Sequence, residues 1–422
     1  MVKTAALLPA LALCLGTLVL GSCSLADSGP AEIWTDVPEI ALCAELFNAS
    51  QSRYLVEVRW QADLASALRQ AKEPPALAIG RYLKSQAVRD RFLSLDYLFG
   101  ELLVNQAAFY PELLAMGSIE GRQLLLPVSF NLPAIIFPKG TQGIRNDFIL
   151  GLDDLAQPAA AYNQKEGASF VRMGFSPRWD GDFLTLAVNA AGAAFREGKP
   201  LAWSEPGLRS AVDAIRDWTA SVNGSATFED DFQFKYLYTP AYQYVSSGRT
   251  LFAYIDSASF FLIPEEKRSG LDYRWFARSG QVPVSEDIVY AALLRSGRGK
   301  QAAEAFMKWF FTEDAQRAIL VSGRRARALE SSFGIAGGFS SIRAVNEKVF
   351  PLFYPALVGH LPPAGAMAPA TVLPSDWPEL EQSVLSPWLV AVTSKPKTSP
   401  PVDLGQDLAT RIADYRRKTA SP

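Results

Sequence analysis

The chain has 422 residues, enough for two or three domains at roughly 150 residues each. Apolar residues make up 49% and charged residues 20%, the profile of a globular chain with a large core rather than a disordered, collagen-like or coiled-coil one. With 41 basic against 43 acidic residues there is no basic excess to neutralise phosphates, so no nucleic-acid partner is expected. The single histidine, His360, argues against a His-rich metal site and leaves any Ser-His-Asp triad one candidate base.

The first elements in chain order are those of export. Met1-Val-Lys3 is basic, and Thr4 to Leu20 is an apolar run of about 17 residues, at the short limit for a spanning helix. A basic start, an apolar stretch and small residues before a cut describe a secretory signal. Leu20-Gly-Ser-Cys23 resembles the lipobox of bacterial lipoproteins. The resemblance implies that 1–22 is a signal peptide and that Cys23 carries diacylglycerol. Residues 23–30 then form a tether, and the acyl chains together hold the protein on a membrane surface. Cys14 leaves with the signal and Cys43 remains alone, so the mature chain has no intrachain disulfide. No later stretch reaches ~18 apolar residues.

Ala31 to Trp34 reads as a strand, and Asp36-Val-Pro-Glu39 opens a helix to about Asn48, with capping-box spacing and a first-turn proline. Residues 54–60 alternate as a strand, 65–71 are helical, and Pro75 to Ile79 is a short buried strand. Strand and helix in turn predict a parallel sheet with right-handed crossovers. Gly121 to Phe137 is apolar and β-rich but carries Pro127 and Pro133. Prolines are poorly tolerated in central strands, so two strands with a crossing between lobes are expected. Helices are expected near 183–195, 206–222 and 241–247, strands at 248–256 and 288–294. One helix is expected over 301–315, a proline-rich loop over 361–378 and a last amphipathic helix over 406–417.

This order of elements resembles the family 1 extracellular solute-binding proteins of ABC importers, the maltose-type group. The resemblance is carried by Ile33-Trp-Thr-Asp36, Phe47-Asn48, Gly121 to Phe137, Gly248 to Tyr254 and Ala302 to Phe310. The Gly-rich strand that the family often has before the 301–315 helix is absent, and Pro283-Val-Ser-Glu-Asp-Ile-Val-Tyr290 stands there. The resemblance implies an α/β fold of two interleaved lobes joined by hinge crossings, the type II periplasmic-binding-protein-like arrangement. Lobe 1 would take 31–133 and 260–320, lobe 2 would take 138–255 and 328–415, and a ligand would sit between them.

Sugar sites present aromatic faces to C–H surfaces and carboxylates or amides to hydroxyls. On that chemistry the candidate ligand contacts are Asp36 after the first strand, Ser129 and Asn131 at the first crossing, and the turn Trp179-Asp180-Gly-Asp182. Tyr254, Asp256 and Ser257 follow the second crossing strand, and Trp377 lies where related sugar binders carry a stacking aromatic. For each, capping or packing is the competing reading. Arg324, Arg325 and Arg327 would favour an anionic solute if they faced the cleft. No G-x-S-x-G, P-loop, G-x-G-x-x-G or H-E-x-x-H occurs, so no catalytic residue, metal or cofactor is expected.

The expected function is capture of a sugar or oligosaccharide outside the cytoplasm and its delivery to an ABC permease in the membrane. The protein would be monomeric and lipid-anchored. A surface adhesin or structural lipoprotein, and less so a glycan hydrolase, are the alternatives.

Overall fold

The computed structural model describes residues 29–100, 103–144, 148–398 and 403–419. The signal segment, Cys23 and tether residues 23–28 lie outside them. None of the described helices is long and apolar enough to cross a membrane.

From the N-terminal side the chain alternates as read: β1 (Ala31–Thr35), α1 (Ile40–Ser50), β2 (Val56–Trp60), α2 (Leu64–Gln70) and β3 (Leu77–Gly80). β1 pairs in parallel with both β2 and β3. The capping box at Asp36 does not form. The helix starts at Ile40 without a side-chain cap, because the Asp36 carboxylate accepts instead from the Arg81 N–H. That approach requires glycine at position 80, where a Cβ would stand 2.4 Å from Asp36 Oδ1.

β4 (Leu126–Phe130) and β5 (Pro133–Pro138) are the two strands expected around the prolines. Pro133 opens β5 and Pro138 closes it. Pro127 lies opposite Tyr290, where the pairing register slips. Strand starts and irregular pairings are where a missing N–H is tolerated. β5 alternates. Ile135 and Phe137 join one apolar cluster, and Ala134 and Ile136 join another, as a period of two requires.

β6 (Ile149–Leu150), α3 (Leu152–Tyr162), α4 (Gly181–Val188), α5 (Glu205–Trp218), α6 (Ala226–Phe234) and α7 (Ala241–Ser246) follow. β7 (Ala253–Asp256), α8 (Ser257–Leu262), β8 (Leu271–Phe276) and β9 (Val289–Leu293) lead to α9 (Lys300–Phe310), α10 (Glu313–Arg325) and β10 (Phe339–Ser340). The helix expected over 301–315 breaks at Phe311, and the Thr312 hydroxyl caps α10 by accepting from Ala315 N–H (3.2 Å). α9 buries Ala302, Phe306 and Phe310 and, one position on, Ala303 and Met307, the i, i+4 pattern of an amphipathic helix. Phe306 meets Phe47 of α1 edge-on at 5.4 Å.

Two sheets result. The first runs β10-β4-β9-β3-β1-β2 and the second β7-β5-β8-β6. The first is mixed rather than parallel, since β9 runs antiparallel to β3 and β4. Two expected lobe segments are divided differently. β8, placed with lobe 1, pairs with β5 in the second sheet. β10, placed with lobe 2, pairs with β4 in the first. Each is an apolar strand whose pattern fixes its type but not which sheet edge it joins. The last helices, α11 (Trp377–Leu380), α12 (Ser386–Thr393) and α13 (Leu404–Thr419), share a core with α4 and α5 that includes Leu184, Leu208, Trp388 and Leu408.

Candidate functional site

Four segments meet where the chain passes between the sheets. The Ser257 hydroxyl donates to Asn131 Oδ1 (2.7 Å) and accepts from the Leu132 N–H (3.1 Å). The Asn131 side chain donates to the Gly337 carbonyl (3.1 Å), and its backbone carbonyl accepts from Ser285 N–H (3.0 Å). One asparagine therefore fixes the start of β5, the end of β7, the approach to β9 and the turn before β10.

Beside this knot lies a cleft of about 940 Å³. The first sheet contributes Arg81 and Tyr82, which follow β3, and Gly337. The second lobe contributes Asp180, Asp182, Thr185, Tyr254, Asp256 and Glu381, and the passage to β9 adds Glu286 and Asp287. Tyr82 holds φ at +56°, a left-handed conformation uncommon for an aromatic residue. The rim is bridged as well. The Glu197 carboxylate accepts from the Ser85 hydroxyl (2.6 Å) and the Gln86 N–H (2.8 Å), and Tyr82 packs against the second lobe's helical core.

Asp180 and Asp256 reach the cleft because each caps a helix there. Asp180 Oδ1 accepts from Phe183 N–H (2.8 Å) and Asp256 Oδ1 from Ser259 N–H (3.0 Å), the geometry that favours Asp at an N-cap. Glu286 Oε1 accepts from Asn189 Nδ2 (3.0 Å). Enclosure raises four acids of the cleft, Asp180, Glu286, Asp287 and Glu381. Burial, reinforced by the neighbouring Glu381, pushes Glu286 up to about 8. Burial with the charge of Asp182 pushes Glu381 up to about 7. Burial lifts Asp180 to about 6 against the hydrogen bond from Phe183. Asp287 is also raised by burial, with Arg81 opposing. Desolvation disfavours the charged form, and like charges add to it.

A second cavity of about 210 Å³ shares Asp180, Ala241 and Tyr254 with the cleft and is lined by Phe175, Trp179, Phe183, Phe232, Tyr236 and Tyr244. Among the described residues no group of His, Cys, Asp and Glu side chains is arranged to hold a metal ion.

No family model matches the sequence, and no curated protein matches it. Solved structures do. The sugar-binding protein of Xanthomonas citri superposes with a TM-score of 0.67 at 12% identity, covering 93% of this chain and 100% of that one. The ABC substrate-binding protein of Listeria monocytogenes in complex with cycloalternan gives 0.60 at 10% identity, covering 93% and 99%. The cyclic alpha-maltosyl-1,6-maltose binding protein of Arthrobacter globiformis gives 0.59 at 16% identity, covering 93% and 100%. The fold is that of the two-lobed solute-binding proteins.

Within that binding-protein fold the residues singled out from sequence separate into three groups. Asn131, Asp180, Asp182, Tyr254 and Asp256 line the cleft. Trp179 lines the aromatic side chamber, its indole N–H donating to the Glu229 carbonyl (3.1 Å). The others do not reach it. Ser129 is buried with its hydroxyl on the Ala336 carbonyl (3.0 Å), and Ser257 is consumed in the Asn131 knot. Asp36 lies under Arg81, bound to its N–H. Trp377 is fully buried against Phe195 and is core, not a stacking platform. Arg324, Arg325 and Arg327 are exposed on the end of α10 and beyond, with Arg324 over the Phe353 ring. Sequence reasoning missed Arg81, Tyr82, Glu286, Asp287 and Glu381. The signal for Arg81 was present: it stands at the carboxyl end of an apolar strand, where open α/β sheets place ligand contacts; Glu286 and Asp287 precede β9, which runs antiparallel to β3 and so starts at the same edge.

Proposed function

We propose that the protein is an extracytoplasmic binding protein that captures a saccharide between its lobes and presents it to an ABC permease. The observation that carries this reading is the cleft itself: both lobes line it, its walls are rich in carboxylates, and an aromatic chamber opens off it. Carboxylates accept hydrogen bonds from sugar hydroxyls, and aromatic rings cover C–H faces. Saccharides are what the structurally similar proteins are named for or hold, which supports the same guest class here. The passages at Asn131–Leu132, Asp256–Ser257 and Ser285–Asp287 serve as hinges, with rotation of the lobes exposing or enclosing the guest. The ligand contacts are Arg81, Asn131, Asp180, Asp182, Tyr254, Asp256, Glu286 and Glu381. The tether places this body on a membrane through lipid on Cys23, beside its permease, as a monomer.

Calorimetry against a panel of neutral and charged oligosaccharides, with small-angle scattering on the same samples, tests this. The expected result is saturable binding, a smaller radius of gyration with ligand, and the sugar recovered unchanged. Absence of binding across the panel with no change in shape would remove the reading.

A further inference from the structure

The charges in the cleft do not balance. Six carboxylates line it, from four parts of the chain: Asp180 and Asp182 at the start of α4, Asp256 at the end of β7, Glu286 and Asp287 before β9, and Glu381 after α11. Among the described residues the lining holds a single guanidinium with them, Arg81, 4.0 Å from Asp287. Asp180 and Asp256 each commit one oxygen to a helix cap. The acids are spread along the cleft rather than converged on one point, and no metal-type cluster forms among the described residues. An extended cation fits this better than a single ion. The Thr250 hydroxyl, fully buried in the lining of the aromatic chamber, has no hydrogen-bond partner among the described residues, and the Trp377 indole N–H is directed at the Glu286 and Glu381 carboxyls from the core side.

We propose that the guest of this cleft is a saccharide bearing protonated amino groups. This rests on the saccharide-binding reading and narrows it. An ammonium between these carboxylates supplies the counter-charge the fold omits, with charge-assisted hydrogen bonds, while ring faces enter the chamber and hydroxyls meet Asn131 and Tyr254. Glu286, Glu381 and Asp180, which burial and neighbouring acids hold partly protonated near neutrality, return to the ionised form as the ammonium arrives. Binding therefore releases protons.

The test is calorimetry at pH 6.5 with glucosamine oligomers and aminoglycosides, their N-acetylated forms, neutral malto- and cello-oligosaccharides, and spermidine. Free-amine sugars are expected to bind about tenfold or more tighter than acetylated or neutral counterparts, the scale of one charge-assisted hydrogen bond. Heat should vary with buffer ionisation enthalpy in the sense of proton release. Glu286→Gln and Glu381→Gln should each weaken the amine sugars about tenfold more than they weaken the neutral ones. Neutral or acetylated sugars binding as tightly as the free amines overturns this proposal and leaves the saccharide reading standing. Spermidine binding without any saccharide overturns both, as does no binding at all.

Discussion

The second lobe treats buried charge in two opposite ways. Behind Trp179, Arg178 and Glu229 are almost wholly buried and paired at 2.8 Å. Glu229 also accepts from Asn223 (2.7 Å) and Thr219 (3.2 Å), and Arg178 reaches Thr393 (3.3 Å) and Asp230 (3.1 Å). A few residues along the chain, Asp180 and Asp182 share the cleft lining with Glu286 and Glu381, and Arg81 is the one cation of that lining among the described residues. Where the fold encloses charge for itself it supplies the opposite charge and fills the lone pairs, because an unpaired buried ion costs several kcal/mol. The cleft departs from that rule, and burial there raises Asp180, Glu286, Asp287 and Glu381 toward the protonated form instead.

Breaking the satisfied cluster gives the largest expected effect. Arg178→Ala leaves Glu229 buried without its partner and should lower unfolding stability by about 3–5 kcal/mol, read by urea denaturation. Replacing both residues with apolar ones of similar size should recover most of the loss. A cost under ~1 kcal/mol for the single change would mean the pair is not what secures the start of α4. Next comes the knot that both regions depend on for their placement. Asn131→Ala removes two side-chain hydrogen bonds and strands the Gly337 carbonyl, for about 1–3 kcal/mol, and should also blunt the ligand-linked shape change in scattering. The smallest effect has the opposite sign. Glu286 is raised from an ordinary 4.5 to about 8, so folding favours its protonated form, and that contribution is lost as pH climbs from about 4.5 toward 8. Thermal unfolding should therefore shift downward over this window, and Glu286→Gln should flatten the fall and raise stability at pH 8 by about 1 kcal/mol. An unchanged midpoint between pH 5 and 8 would place Glu286 in water and dissolve the contrast between the two regions.

Most of the architecture was legible because it rests on local signals. Alternation gave β2, Pro133 marked the start of β5, and i, i+4 spacing gave α9. Asp180 and Asp256 were legible for a related reason, since a capping aspartate at the end of a turn is also a cleft-facing one. What failed depended on distance in space. Trp377 offers the same chemistry whether it stacks on a sugar or fills a core, and only the packing of Phe195 against it decides. Glu381 sits in an unremarkable helical stretch, and nothing in its neighbours in sequence tells that it will oppose Glu286, 95 positions earlier in the chain. β8 and β10 were not read as strands, and the segments that hold them were put with the other lobe, because nothing local says which sheet a segment joins.

The bridge at the rim separates two quantities that a binding protein is usually described with together. To part the lobes, the Glu197 carboxylate must give up Ser85 and Gln86 and Tyr82 must withdraw from the helical core. None of these acts is performed by the acids that would hold the guest, Glu286 and Glu381. How long a molecule stays inside is thus governed at one place and how tightly it is favoured at another, so residence time and equilibrium affinity can be altered by different substitutions.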